Sequence, residues 1–242
     1  MNSAHIHQTA AELNLRERQV EAVAQLLEGG ATVPFLARYR KEVTGSLDEV
    51  AITSIRDRMK ELLELDKRRA VVLESIEKQG KLTPELKAKI EKAATLTELE
   101  DLYLPYKPKR RTRGMIAREK GLEPLAEAIF RQEVGFSPEK EALKYVDAEK
   151  ELGTAALVLA GARDIIAEQV NENAEARAKI RELYLTKGTF SSKVVRGKEE
   201  AGSKFKDYFE WKEPVADAPS HRVLAVRRGE KENILILRIL AP

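Results

Sequence analysis

Apolar positions recur at intervals of three and four residues along most of this chain. The first two such stretches fall within residues 6–13 and 20–27, and Gly29-Gly30 follows the second. A longer stretch covers residues 47–79 without a glycine or proline until its end. Because this spacing places apolar side chains on one helix face, we predict two short helices and one long helix of roughly 45 to 50 Å. Ser46 and Glu49 have capping-box spacing, which predicts that the long helix begins there.

Helix-start signals recur after Gly80. Thr83-Pro84-Glu85 and Ser137-Pro138-Glu139 each place a capping hydroxyl before a proline that fits a first helical turn. Further helices are predicted over residues 83–94, 96–104, 113–119, 122–132, 138–146, 148–170 and 173–186. No fixed repeat period relates them, so the pattern indicates an irregular multi-helix array and not a regular solenoid.

The pattern changes after residue 186. Residues 189–195 and 233–240 are rich in β-branched or aliphatic side chains, which predicts strands, and helices are predicted over 198–208 and 219–227. We therefore predict a mainly α fold with a helical domain over residues 1–186 and a small α+β segment over 187–242. Little sequence remains after the second strand to pair with it and cover it, so we expect the natural polypeptide to extend beyond Pro242.

Composition narrows the class of protein. With 43% apolar and 34% charged residues, the chain can build a core and present solvated helix faces. It has no apolar run long enough to span a membrane and no secretory signal, so we expect a cytoplasmic protein without membrane contact. The absence of cysteine excludes disulfides, thiolate nucleophiles and zinc ribbons. His5 and His7 point to different faces of a helix, so we expect no metal site and no cofactor.

Positive charge is concentrated in residues 107–120, called the basic segment below. It holds seven lysines and arginines and one acid, a local charge of +6 in a chain of net charge +3, so the rest of the chain carries −3. The candidate phosphate contacts are Lys107, Lys109, Arg110, Arg111 and Arg113. Such contacts give salt-dependent affinity for RNA or DNA without sequence specificity.

A second interpretation of the basic segment stays open. Its arginines could instead pair with Glu98, Glu100 and Asp101, or with carboxylates of other domains. Tyr103 and Tyr106, just before the segment, could stack on bases, but we expect them to pack in the helical body.

Residues 32–49, TVPFLARYRKEVTGSLDE, contain a second group of cations, Arg38, Arg40 and Lys41. We interpret the apolar positions beside them as core: Val33, Phe35, Leu36 and Tyr39. The acids Glu42, Asp48 and Glu49 are near enough in sequence to neutralise the cations. Two roles therefore remain possible for this segment: packing within the fold, or contact with nucleic acid.

Catalysis has little support in the sequence. It contains no glycine-rich phosphate loop, no GxSxG and no HExxH. Most acids lie at helix starts or alternate with lysine and arginine, whereas a metal-dependent phosphodiesterase needs carboxylates that converge. We therefore expect a protein that is not an enzyme.

Five segments carry a resemblance to a known family. They are TVPFLARYRKEVTGSLDE (32–49), QGKLTPEL (79–86), LEDLYLPYKPKRRTRGMIA (99–117), KFKDYFEW (204–211) and SHRVLAVRRGEKEN (220–233). In this order they resemble the N-terminal region of the Tex family of bacterial transcription accessory proteins, and the resemblance runs essentially from end to end. It implies a ribonuclease-H-like domain, helix-hairpin-helix modules and an oligonucleotide-binding barrel beyond these residues.

The resemblance also implies a helix-turn-helix-like unit in the first helices, with residues 34–41 as the segment that would enter a groove. Two functions follow. In the first, the chain contributes to nucleic-acid binding through the basic segment. In the second, it is a helical scaffold that docks the C-terminal domains of the same protein, or the transcription machinery, without touching nucleic acid.

Overall fold

The computed structural model describes residues 2–242 and confirms a mainly α fold with a small α+β segment at the C-terminal end. The chain divides into two compact units, one ending at Tyr106 and one covering Lys107–Pro242, and each is described by itself. The sheet of the second unit begins at Thr189. The domain boundary predicted at residue 187 stays a prediction.

Helices build the first unit. They are α1 (Ser3–Leu13), α2 (Glu17–Glu28), α3 (Val33–Tyr39), α4 (Lys41–Thr44), α5 (Glu49–Lys78), α6 (Pro84–Lys92) and α7 (Leu96–Tyr103), followed by a 3-10 turn over Leu104–Tyr106. The cap predicted at Thr83 is confirmed, since its hydroxyl accepts the Leu86 backbone N–H, and Thr95 caps α7 in the same way through the Glu98 N–H.

The long helix α5 has 30 residues, about 45 Å at 1.5 Å per residue. Its predicted start at Ser46 is wrong. Ser46 has φ 62°, a left-handed conformation in the turn that follows α4, so it cannot serve as the N-cap. Asp48 is the cap, and its carboxylate accepts a hydrogen bond from the Ala51 N–H at 2.8 Å.

Two apolar clusters lie along α5. The first packs α1, α2 and α3 against the N-terminal half of α5, with Val20, Leu36 and Ile55 fully buried. The second packs α6 and α7 against its C-terminal half. The buried ring of His5 also contacts α5, with 2.8 Å between its Nε2 and Asp66 Oδ2. The long helix thus connects both halves of the first unit.

The second unit combines helices with a sheet. Its elements are α8 (Arg113–Glu119), α9 (Glu123–Arg131), α10 (Pro138–Ala142), α11 (Ala155–Glu172), α12 (Ala174–Lys187), β1 (Thr189–Val194), β2 (Glu210–Pro214), α13 (Ser220–Lys231) and β3 (Leu235–Leu240), with 3-10 turns over Leu143–Tyr145 and Ser203–Tyr208. An apolar core joins α8, α9 and α10 to α11, with Leu122, Leu125, Val158 and Ile165 fully buried.

Three elements of this unit differ from the sequence-based predictions. The helix predicted from residue 148 begins at Ala155, because Asp147 and Leu152 bridge a turn and Thr154 then caps α11. The helix predicted over 198–208 is a 3-10 turn over Ser203–Tyr208. The sequence analysis did not predict strand β2. Three of its five residues are charged, and Trp211 is the one residue in it that favours a strand.

The sheet is antiparallel in the order β2-β1-β3. Strand β1 pairs with β3. On one face of the sheet, Val226 of α13 and Phe205 of the 3-10 turn pack with Ile234 and Leu235 in one apolar cluster. Within residues 2–242, no helix is long and apolar enough to cross a membrane.

Candidate nucleic-acid interface

The basic segment runs into α8, and α8 packs along α11. Thr112 caps α8, since its Oγ1 accepts the Met115 N–H at 3.0 Å. The same hydroxyl donates to Glu168 Oε1 at 3.2 Å. Gly114 lies so close to α11 that an added Cβ would overlap the Glu168 carboxylate and stand 3.3 Å from the Asp164 carbonyl oxygen. The first turn of α8 is therefore held directly against Glu168.

Glu168 is the centre of an ion-pair cluster, and its side chain is only 12% exposed. Arg118 Nη1 donates to its Oε2 at 2.8 Å, and Lys109 Nζ donates to its Oε1 at 3.3 Å. Lys109 also pairs with Glu172, one turn further along α11. Burial opposes the charge, but the hydrogen bonds from Arg118 and Lys109 outweigh it and lower the pKa of Glu168. Lys109 and Arg118 are thereby fastened to α11.

Three further ion pairs engage cations of the basic segment. Arg118 Nε is 3.1 Å from Glu123, and Lys120 Nζ is 2.8 Å from Glu151. Arg111 pairs with Glu119 at a site where both side chains are more than half exposed. The acids that the fold adds from outside the segment are Glu123, Glu151, Glu168 and Glu172. They lower the local charge from +6 to +2.

Lys107, Arg110 and Arg113 have no carboxylate partner within 4 Å among residues 2–242, and all three are exposed. Of the five cations predicted in this segment, three are therefore available to a ligand. Lys109 is held by α11, and Arg111 is held by a solvent-exposed pair.

Two of the acids predicted as partners, Glu98 and Glu100, are engaged elsewhere. Glu100 lies 2.5 Å from Arg68 Nε, and Glu98 accepts the Ala94 N–H at 2.8 Å. The partners that sequence reasoning missed, Glu168 and Glu172, lie 59 and 63 residues beyond Lys109. Glu168 and Glu172 are four residues apart, which places both on one face of a helix. The sequence does not indicate that this helix packs against α8.

Tyr103 and Tyr106 pack, as predicted. Tyr103 is 7% exposed, and its hydroxyl is 2.9 Å from Ser75 Oγ. The Arg68 guanidinium lies 5.3 Å from the centre of its ring. Tyr106 contacts the same apolar cluster, and its carbonyl oxygen accepts from Gln79 at 2.9 Å.

The surface formed by Phe35, Arg38, Tyr39, Arg40 and Lys41, called the α3–α4 surface, lies in the first unit. The prediction of four core residues here is half wrong. Val33 and Leu36 are buried, whereas Phe35 is 40% and Tyr39 65% exposed. Residues four apart share one helix face, and on α3 that face points to solvent.

The two rings of this surface lie with their centres 5.5 Å apart, and the Arg40 guanidinium is 5.5 Å from the Phe35 ring centre. Arg38, Arg40 and Lys41 are exposed and have no carboxylate within 4 Å among the described residues. The predicted neutralisation is not observed: Asp48 caps α5, and neither Glu42 nor Glu49 pairs with these cations. Aromatic and cationic side chains thus share one exposed surface.

Comparison with known proteins defines the class. A model described as "Tex-like protein N-terminal domain" matches residues 3–77, and one described as "Tex central region-like" matches residues 134–242. The chain belongs to the Tex-like family. The basic segment falls between the two matched ranges.

Named relatives agree with this assignment. "Protein tex" of Bordetella pertussis is 50% identical over 97% of this chain and 30% of its own length. "Transcriptional accessory protein Tex" of Neisseria gonorrhoeae is 47% identical over 93% of this chain and 29% of its own length. The human "S1 RNA-binding domain-containing protein 1" is 27% identical over 90% of this chain and 22% of its own length. The chain spans about 30% of the length of the bacterial relatives named here.

Proposed function

We propose that this N-terminal region of a Tex-like transcription accessory protein contributes to binding of RNA or DNA through its basic segment. The observation that carries the proposal is the availability of Lys107, Arg110 and Arg113, which are exposed and free of carboxylate partners among residues 2–242. They belong to a segment that Lys109 and Arg118 fasten to α11. A cation presented by an anchored segment loses less conformational freedom when it meets a phosphate.

The expected interaction is electrostatic and independent of sequence. Each phosphate that a lysine or arginine neutralises releases condensed counterions, so affinity falls as salt rises. Arg111 can join these contacts, because an exposed ion pair such as Arg111–Glu119 contributes about 1 kcal/mol or less and is readily exchanged. Lys109 is a positioning residue in this proposal, since Glu168 and Glu172 hold its ammonium group.

The α3–α4 surface is the second proposed contact. Arg38, Arg40 and Lys41 would meet phosphates, and the exposed rings of Phe35 and Tyr39 add a surface on which bases can stack. A helix-turn-helix-like role for the first helices is part of this proposal. The names of two relatives, which include "Transcriptional accessory" and "RNA-binding", support the same class of ligand.

We assign no catalytic step to this chain. Glu168 and Glu172 are held by Arg118, Lys109 and Thr112, which leaves their oxygens committed to cations and a hydroxyl. Incubating labelled RNA and DNA with the protein and Mg²⁺ or Mn²⁺ tests this assignment. Intact substrate is expected, and cleavage that co-purifies with the protein through several columns would contradict it.

A second candidate function rests on α12. No side chain of this helix is buried, and Ile180, Leu183 and Leu185 are 51%, 39% and 57% exposed. A helix that leaves this much apolar surface uncovered favours a scaffold role in which other domains or the transcription machinery dock in the cytoplasm. Such docking and nucleic-acid binding use different elements, so they are compatible.

Fluorescence titration with labelled 20-nucleotide RNA and DNA, single- and double-stranded, tests the main proposal. The variant is Lys107→Gln, Arg110→Gln, Arg113→Gln. The matched control is Arg131→Gln, Lys140→Gln, Lys150→Gln, three exposed cations of the same unit. We expect about tenfold weaker binding for the variant at 0.1 M salt and less than twofold for the control. Equal losses, or no binding by the unmodified chain at low salt, would overturn the proposal.

A further inference from the structure

The face of the sheet opposite α13 forms a cleft of about 260 Å³ that the nucleic-acid proposal does not use. Its lining residues are Ser191, Lys193, Lys212, Ile236, Arg238 and Leu240. Side chains alternate between the two faces of a strand, so these positions share one face while Leu235 and Leu237 pack toward α13 on the other.

Strand register brings the cations of this cleft together. Ser191 on the central strand is opposite Lys212 on one side and Arg238 on the other. Neighbouring strands lie about 4.8 Å apart, so Lys212, Ser191 and Arg238 form one row across the sheet. Lys193 is two residues further along β1 and has the same orientation. Three positive charges therefore surround the hydroxyl of Ser191.

These groups lack ion-pair partners among residues 2–242. Lys193, Lys212 and Arg238 are exposed and have no carboxylate within 4 Å among residues 2–242. Glu210, opposite Lys193, forms no ion pair with it. Ser191 is 7% exposed as a residue, no described group hydrogen-bonds its hydroxyl, and its Oγ is still open to solvent. An accessible hydroxyl without a protein partner, beside three unpaired cations, can donate to an anionic ligand.

The apolar side chains that line the cleft indicate which class of anionic ligand it binds. Ile236 and Leu240 are 45% and 39% exposed on the β3 side of the cleft. No aromatic residue occupies this face, because Phe190 and Trp211 stack on the face toward α13. Nucleic-acid bases find no stacking surface here, whereas carboxylates interspersed with aliphatic side chains complement both the cations and the apolar pair.

We propose that this sheet face docks a peptide segment of another protein in which acidic and aliphatic residues alternate. The carboxylates pair with Lys193, Lys212 and Arg238, one of them accepts from the Ser191 hydroxyl, and the aliphatic side chains cover Ile236 and Leu240. This inference is independent of the nucleic-acid proposal, since it uses other residues and another ligand.

The test measures fluorescence anisotropy of a labelled twelve-residue peptide in which Glu or Asp alternates with Leu or Val, added to the full 242-residue chain. One variant is Lys193→Gln, Lys212→Gln, Arg238→Gln, and a second is Ile236→Thr, Leu240→Thr, which keeps the charges. The matched control is Arg196→Gln, Lys198→Gln, Lys206→Gln, which removes three exposed cations outside the cleft.

We expect binding that weakens at least tenfold in the triple variant, at least threefold in the apolar variant and less than twofold in the control. The inference would be overturned by no binding, by equal weakening in the control, or by equally tight binding of a polyglutamate peptide of the same charge. A single-stranded oligonucleotide that binds with the same dependence on Lys193, Lys212 and Arg238 would also overturn it and assign the cleft to nucleic acid.

Discussion

The carboxylate of Glu168 on α11 lies against the backbone of Gly114 in the first turn of α8, with no room for a side chain between them. This contact brings Glu168 within reach of Arg118, Lys109 and Thr112. The glycine thereby determines how the basic segment is attached to the second unit.

Replacing Gly114 with alanine tests this contact. Alanine favours helix by up to about 1 kcal/mol relative to glycine, but here its methyl group would displace a carboxylate that three donors hold. We expect a net destabilisation of about 1 to 2 kcal/mol by urea unfolding, as for other overpacked sites.

Gly153→Ala is the matched control in the same unit, because no atom lies within 4 Å of an added Cβ there. It should change stability by less than about 0.5 kcal/mol. If Gly114→Ala were as stable as Gly153→Ala, Glu168 would be free to move and would not hold the segment.

Glu168 also predicts a pH dependence. Its folded-state pKa is lowered, because hydrogen bonds from Arg118 and Lys109 outweigh burial, so it stabilises the fold above the unfolded pKa of about 4.3. That contribution is lost as pH falls through the lower folded value. Glu168→Gln should cost about 1 to 2 kcal/mol at pH 7. The difference from the unmodified chain should shrink as pH falls below about 4.

Unfolding titrations at pH 7, 5, 4 and 3 measure this difference. Glu127→Gln, whose partner Arg131 is 4.0 Å away in an exposed pair, is the control and should show little effect at any pH. A Glu168→Gln cost that stays constant from pH 7 to pH 3 would show that the charge of Glu168 contributes nothing.

Phe35 and Tyr39 should matter for binding and little for folding. Both rings are at least 40% exposed, so Phe35→Ala with Tyr39→Ala should cost about 1 kcal/mol or less in unfolding free energy. Base stacking on an aromatic ring contributes about 1 to 3 kcal/mol per base, which predicts about tenfold or greater loss of affinity for a single strand.

The ring-preserving variant Phe35→Tyr with Tyr39→Phe is the control and should bind as the unmodified chain does. The readout is the same titration with a labelled 20-nucleotide single strand. Unchanged affinity in the alanine variant would remove stacking from the proposal and leave Arg38, Arg40 and Lys41 as phosphate contacts alone.

Local signals in the sequence were sufficient for most helices. The span predicted for α8, residues 113–119, is the one observed, and Thr112 caps it. The start of α5 was misplaced by two or three residues, because Ser46 and Asp48 are both good caps and only the backbone conformation of Ser46 decides between them.

Long-range electrostatics could not be predicted in the same way. The cations of the basic segment were found from composition, but which of them stay free depends on Glu168 and Glu172, which pack beside them only after α8 and α11 meet. The exposure of Phe35 and Tyr39 was missed because aromatic residues beside Leu36 have the same apolar signature as core.

The salt dependence of binding tests the central claim most directly. The logarithm of the association constant for a single strand changes with the logarithm of salt concentration by about 0.7 for each phosphate contact. Removing Lys107, Arg110 and Arg113 should therefore lower the magnitude of the slope by about 2, while the control at Arg131, Lys140 and Lys150 leaves it unchanged. Identical slopes for the variant and the unmodified chain would contradict the claim that the basic segment contacts phosphates.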